Sequence, residues 1–255
     1  MLKVLDTFAG IGGFSLGLER TGGFKTVAFC EIEPFCQKVL RKHWLEIPIY
    51  DDVRTLTAER LKADRIAVDV ITGGFPCQDI SVAGRQAGIE GERSGLWSEC
   101  VRLLSELCPH YAIYENVSGL LSGGNGQWFG KVLADMASIG YDAEWHCIPA
   151  SCFEALHRRE RIWIIAYSSQ NGWLHNSSIF SEISDKVTDT GPPAQVMGVF
   201  NSQWLFTNGD LRDIRKDHGI SNAMDRIGAC GNAIVPQIPE LIGRAILEYE
   251  RKCRV

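Results

Sequence analysis

Val4-Leu5-Asp6-Thr7-Phe8-Ala9-Gly10-Ile11-Gly12-Gly13 carries the chain from an apolar strand through a glycine-rich turn into a helix that runs to about Arg20. Free amides at the start of such a helix favour a carboxylate or phosphate, and glycines let the backbone come close to a ligand. A dinucleotide fingerprint wants a further glycine at the position held by Ser15, which weakens a nicotinamide reading. Glu31 ends the second apolar run about 20 residues further on, where an acid can hold ribose hydroxyls. Asp52-Val53 follows a short third run. The stretch therefore marks either a nucleoside cofactor or a plain tight turn.

Outward from it, elements alternate. Strands are expected at residues 4–9, 26–32, 47–50, 68–75 and 111–117, with helices at 13–20, 34–44, 96–107 and 126–139. Residues 141–149 and 161–167 read as an antiparallel pair. Residues 233–251 return to helical spacing, with Leu241, Ile242, Ala245, Ile246 and Tyr249 on one side. This order predicts an α/β fold whose open, mostly parallel sheet is covered on both faces. Between them, residues 168–222 are rich in Ser, Asn, Asp and Gly, with Pro192-Pro193 and scattered aromatics. We expect three parts: residues 1–167 as the main domain, 168–222 as a small loop-rich insertion, and 223–255 returning to the main domain.

Composition sets the bounds. A chain of 255 residues, 45% hydrophobic, can bury one main core with a small addition. It has no apolar stretch of about 18 residues, and Met1 leads directly into a strand, so a cytoplasmic protein is expected. The nine cysteines form no Cys-x-x-Cys pair, and their odd number argues against a disulfide framework or a structural zinc site. No metal is expected, and most thiols read as small core hydrophobes. The formal charge of -5 is awkward for a nucleic-acid partner, but a local basic face can still grip phosphates. His157-Arg158-Arg159-Glu160-Arg161 and residues 212–216 are the basic clusters, each also readable as solvated surface.

Gly73-Gly74-Phe75-Pro76-Cys77-Gln78 and Tyr114-Glu115-Asn116-Val117 carry the chemistry. A thiol after proline, closing the run of Val68, Val70 and Ile71, reads as a nucleophile at a strand's carboxyl edge. Glu115, closing the run from Tyr111 to Tyr114, would share that edge, where ligands of parallel sheets collect. Singly, Cys77 reads as a buried thiol, Glu115 as a turn acid and Arg159 as a surface charge.

With six blocks in a fixed order, the chain resembles the DNA cytosine-5 methyltransferases over nearly all of its length. The resemblance implies a Rossmann-like methyltransferase fold with a mostly parallel sheet, an antiparallel last hairpin and a small loop-rich target-recognition lobe. It implies S-adenosyl-L-methionine as donor and S-adenosyl-L-homocysteine as product, with Phe8, Gly10, Ile11, Gly12, Gly13, Glu31, Asp52, Val53 and Pro76 lining the donor site. Leu96 would help to close that site, and Asn232 and Ala233, in the last motif, would return to it. Cys77 takes the nucleophile's role and Glu115 that of the partner of cytosine N3, a task for a carboxylic acid of raised pKa. Arg159 and Arg161 match the family's Gln-x-Arg-x-Arg motif, with His157 in the first position. Residues 78–95, polar and glycine-rich, suit a lid. Gln78, Ser81, Arg85 and Arg158 would face DNA opened to release one base. Gln203, Arg212 and Arg215, in the insertion, are types that read base edges.

Double-stranded DNA is the implied partner, a cognate restriction endonuclease a candidate second one, and a monomer the expected state. Two other readings stand beside this one. Methylation of transfer RNA would want a Cys-Phe-Thr stretch, to which Cys152-Phe153-Glu154 is the nearest approach. A catalytically silent binding module would not need Cys77, Glu115 and Arg159 together.

Overall fold

A computed structural model describes residues 1–76, 96–150, 160–168, 179 and 233–253. The chain order is β1 (Leu2–Thr7), α1 (Gly13–Arg20), β2 (Phe24–Cys30), α2 (Pro34–His43), β3 (Ile49–Tyr50), α3 (Ala58–Ala63) and β4 (Val70–Gly73). Then come α4 (Trp97–Leu107), β5 (Tyr111–Val117), α5 (Gly119–Ser122), α6 (Gln127–Ser138), β6 (Tyr141–Pro149), β7 (Glu160–Ser168) and α7 (Gln237–Cys253).

The seven strands form one sheet in the order β3-β2-β1-β4-β5-β7-β6. Pairing is parallel from β3 to β5 and antiparallel between β5 and β7 and between β7 and β6. The mostly parallel sheet and the reversed hairpin both match the sequence pattern. Strand order turns back on itself between β1 and β4, and ligands gather in the crevice beyond the carboxyl ends of strands at such a point. Thr7 and Gly73, the last residues of those strands, are register partners.

Central strands buried on both sides must be apolar almost throughout, and alternate residues serve opposite faces. Leu5, Ile71, Ala112, Tyr114, Ile162 and Ile164 pack with Trp97, Leu103, Leu104, Val132 and Met136 of α4 and α6. Val4, Val70, Tyr111, Ile113, Trp163 and Ile165 pack with Phe14 and Leu18 of α1 and Ile242 and Ile246 of α7. Ile179, inside the interval read as an insertion, is buried in this second cluster. Its N–H donates to Glu144 Oε1 at 3.2 Å. Apart from Ser168 and Ile179, residues 168–222 lie outside the described residues.

Two differences from the sequence reading have local causes. The last helix begins at Gln237 rather than near Ala233, because Pro236 steers the residue before it away from helical geometry. The short helix α3 has no counterpart in the sequence reading. Thr57 caps it, accepting from Arg60 N at 3.2 Å, and Leu61 is its one buried residue, too little for a periodic signal.

Helices α1 and α7 approach at backbone distance. A Cβ on Gly17 would lie 2.1 Å from the carbonyl oxygen of Pro236, and one on Gly243 would lie 2.9 Å from Leu18 Cδ2. Among the described residues, no helix is long and apolar enough to cross a membrane, and no group of three or more His, Cys, Asp or Glu could hold a metal ion. Cys30, Cys36 and Cys100 are buried, and burial pushes the Cys30 thiol up to about 12.

Gly17→Ala tests the helix contact. In an open helix this change stabilises by about 1 kcal/mol. Here the overlap with a backbone oxygen reverses the sign, and urea denaturation should show a loss of about 1–3 kcal/mol.

Candidate active site

Asp6 lies at the root of the glycine-rich turn. It is fully buried. Its Oδ2 accepts from Ser15 N at 3.2 Å and Ser15 Oγ at 2.7 Å, and its Oδ1 accepts from Thr72 Oγ1 at 2.8 Å. Gly12, the N-cap residue of α1, has no side chain to cap the helix. Asp6 satisfies the Ser15 amide from the neighbouring strand instead, as an N-cap side chain would. Burial pushes the Asp6 carboxyl up to about 7; the bonds from Ser15 and Thr72 oppose that shift, and Glu31 adds slightly to it.

The turn has left-handed backbone at Phe8 (φ 50), Gly10 (φ 55) and Gly12 (φ 86). Its glycines serve different ends. A Cβ on Gly10 would meet nothing within 4 Å, so that position leaves room for a ligand. A Cβ on Gly12 would lie 2.7 Å from the ring of Trp44, and one on Gly13 would lie 2.6 Å from Ile234 O. These two glycines admit protein instead. Phe8 and Leu96 are half-buried against the core, and Ile11 is half-buried.

Glu31 reaches back to the turn. Its Oε2 accepts from Gly10 N at 2.6 Å and its Oε1 from Glu33 N at 2.8 Å. Burial raises its pKa against the pull of those two amides. Gln37 Nε2 donates to Glu31 O at 2.6 Å and to Asp51 Oδ1 at 2.9 Å, fixing the start of α2. Asp52 is paired with Arg54, whose Nη2 donates to Oδ2 at 2.6 Å, and this bond lowers its pKa. Val53 is buried in the core.

The second half of the site surrounds Glu115. Its Oε1 forms an ion pair with Arg161, 2.9 Å from Nε. The pair is possible because β7 runs antiparallel to β5, setting Trp163 opposite Glu115 and Arg161 opposite Val117. Asn116 points to the other face, where its Nδ2 donates to Phe75 O at 3.2 Å. A Cβ on Gly74 would lie 3.4 Å from Glu115 Oε2. The rings of Phe75, Trp97 and Tyr114 pack with centroids 5.0, 6.2 and 5.5 Å apart. Gly74 and Phe75 are thus held against β5, Gly74 at Glu115 and Phe75 at Asn116 and Tyr114.

A small cleft opens beside the Glu115–Arg161 pair, and Trp163, Ala150, Ala233, Ile234, Val235 and Ile238 complete its lining. The structure therefore brings together Glu115, Arg161 and Ala233 on one side, and Phe8, Gly10, Ile11 and Glu31 on the other. Cys77, Gln78, Ser81, Arg85, Arg158, Arg159, Gln203, Arg212, Arg215 and Asn232 lie outside the described residues. Sequence reading passed over Asp6, Asn116 and Trp163. A buried acid two residues before the glycine turn is the signal that could have found Asp6.

The family model of the C-5 cytosine-specific DNA methylases matches residues 2–226. The chain is 34% identical over 171 residues to Type II methyltransferase M.DsaV of Dactylococcopsis salina, covering 67% of this chain and 47% of that one. It is 36% identical over 165 residues to Type II methyltransferase M.CviJI of Paramecium bursaria Chlorella virus IL3A, covering 64% and 42%. The chain thus spans less than half the length of these two curated relatives. Among solved structures, a prophage-encoded E. coli protein assigned as a DNA modification methyltransferase superposes with a TM-score of 0.58 at 27% identity, covering 68% of this chain and 49% of that one. Spodoptera frugiperda DNMT2 gives 0.55 at 20% identity, covering 70% and 53%, a likeness of fold.

Asp6 has a pH signature. Its ordinary pKa is 3.8 and its folded value about 7, so the folded state binds the extra proton between them. The stability contributed by that proton is fully present below the lower value and is lost as pH rises through the upper one. Asp6→Asn should flatten this dependence: between about pH 5 and pH 8 its urea midpoint falls less than that of the parent chain. Equal slopes would show that Asp6 does not titrate in this window.

Proposed function

Because the chain belongs to the C-5 cytosine-specific DNA methylase family, we propose that it methylates C5 of a cytosine rotated out of duplex DNA, with S-adenosylmethionine as donor. The observation that carries this reading is the meeting of two loops at the reversal point of the sheet. One offers open space at Gly10 beside Glu31; the other follows β4, where Gly74 lies against Glu115 and Phe75 is bonded to Asn116.

The residues present fit the donor. Gly10 leaves room for close approach, and Glu31, beside it, is an acid of the kind that takes ribose hydroxyls. When bound, the donor supplies an electrophilic methyl group. Cytosine C5 is too electron-poor to take that group unaided. Cys77, directly after Pro76 in the chain, adds as thiolate to C6, and the displaced electron pair makes C5 enamine-like. Glu115 hydrogen-bonds to N3, which makes the ring a better acceptor for the thiolate. Arg161 steadies Glu115, and Arg159 supports the base. Loss of the C5 proton then lets the C6–S bond break, releasing Cys77 and leaving 5-methylcytosine and S-adenosylhomocysteine.

Duplex DNA is the substrate in this reading, with Gln78, Ser81, Arg85 and Arg158 facing the opened helix and Gln203, Arg212 and Arg215 reading base edges. The Type II names of the relatives support a cognate restriction endonuclease in the same cell. The enzyme would act as a monomer in the cytoplasm. The interval read as an insertion, residues 168–222, is short, so the target is short.

Four measurements test the reading. Cys77→Ala should abolish transfer to DNA while sparing donor binding, and DNA containing 5-fluorocytosine should trap the parent chain covalently, because the C5 proton it would lose is replaced. Glu115→Gln should slow single-turnover transfer by roughly 100- to 10,000-fold. Bisulfite sequencing of modified plasmid should show a target of about two to four base pairs; a six-base requirement would contradict the short target.

A further inference from the structure

We infer that Trp44 is a positioning residue for the donor loop: its indole ring, seated against Gly12, holds the turn in the shape that leaves Gly10 open to the donor. This rests on the donor reading above, and adds to it a residue at the far end of α2 that touches no part of the cleft beside Glu115.

The contacts of Trp44 reach three elements and the turn. Its ring carbons Cη2 and Cζ3 lie 2.7 Å from where a Cβ on Gly12 would be, so the ring fills the space that any larger residue would need. Its Nε1 donates to Glu19 Oε2 of α1 at 3.0 Å, and Glu19 Oε1 accepts from Thr26 N of β2 at 3.0 Å. Its ring stands edge-on to Phe29, centroids 5.2 Å apart at 66°. Its backbone closes α2, donating to Leu40 O at 2.8 Å.

Helix α2 therefore grips the turn at both ends. Before its first residue, Glu31 takes the amide of Gly10; after its last, Trp44 covers Gly12. Gly12 has left-handed backbone, with φ 86. No side chain of its own stabilises that conformation, so the surroundings must impose it. With the ring gone, a void opens beneath Gly12 and the bond to Glu19 is lost. The turn then populates shapes in which Gly10 no longer presents its open side. A ligand that binds one shape of several loses affinity in proportion to that shape's population, whereas the chemistry of the bound complex does not change.

The test uses the full chain with S-adenosylhomocysteine as the calorimetric probe, and initial rates against donor concentration on duplex DNA. Trp44→Ala should weaken probe binding about tenfold and raise KM for the donor in parallel, while kcat at saturating donor stays within about twofold. Trp44→Phe, which keeps an aromatic face on Gly12, should recover most of the affinity. Trp44→Leu provides the same comparison if Trp44→Ala does not fold. Gly12→Ala should weaken binding in the parent chain by clashing with the ring, and should cost less when combined with Trp44→Ala. Lowered melting temperature with unchanged probe affinity in the folded Trp44 variants would overturn the inference and leave the donor reading intact. Failure of the parent chain to bind the probe would overturn both.

Discussion

A carboxyl group sealed inside the protein binds the two halves of the site together. Asp6 takes hydrogen bonds from Ser15 of α1 and Thr72 of β4, and the loops of interest leave the sheet just beyond those bonds. Its own strand leads into the glycine turn, and β4 leads to Pro76. Burying a carboxyl carries a desolvation penalty that three donors offset only in part, which is why burial raises its pKa so far. What the molecule gains is a fixed relation between the helix start, the turn and the neighbouring strand, at the point where the sheet reverses its order.

The cleft beside Glu115 depends on direction of travel. In a parallel sheet every strand ends at the same edge, so that edge collects strand ends and no beginnings. The reversed β7 is the exception, and it delivers Arg161, from the start of a strand, beside Glu115 near the end of another. Asn116, the next residue along β5, fastens Phe75 from the opposite face. One strand thus sends consecutive side chains to different tasks: Glu115 to the cleft, Asn116 to the loop that leads to Pro76.

Much of this was legible in the residues. The alternation of apolar runs with helical spacing gave the order of elements, and the two runs at 141–149 and 161–167 announced the reversed hairpin. Glu31 was readable from its distance after the turn. The glycines were readable only as places of close approach, because a glycine that admits a ligand and one that admits a neighbouring backbone look the same in sequence. Gly10 has open space beside it, whereas Gly13 and Gly17 each meet a backbone carbonyl. The bond from Arg54 to Asp52, and the bond from Asn116 to Phe75, depend on side-chain direction, which no pattern of apolar residues encodes. Cys77, read as the nucleophile from its neighbours alone, lies outside the described residues.

The antiparallel hairpin also sets a mechanical condition on the rest of the chain. Tyr167 pairs with Tyr111 at the sheet's amino rim, whereas Ala233 borders the cleft at its carboxyl rim. The interval between them must therefore climb the full height of the sheet, about 20 Å for the seven residues of β5. A handful of extended residues would cover that span, yet 65 residues, 168–232, lie between those two positions. Part of that length returns to the core, where Ile179 is buried in the cluster shared by β5, β7 and α7, so a change of length there must leave that anchor in place.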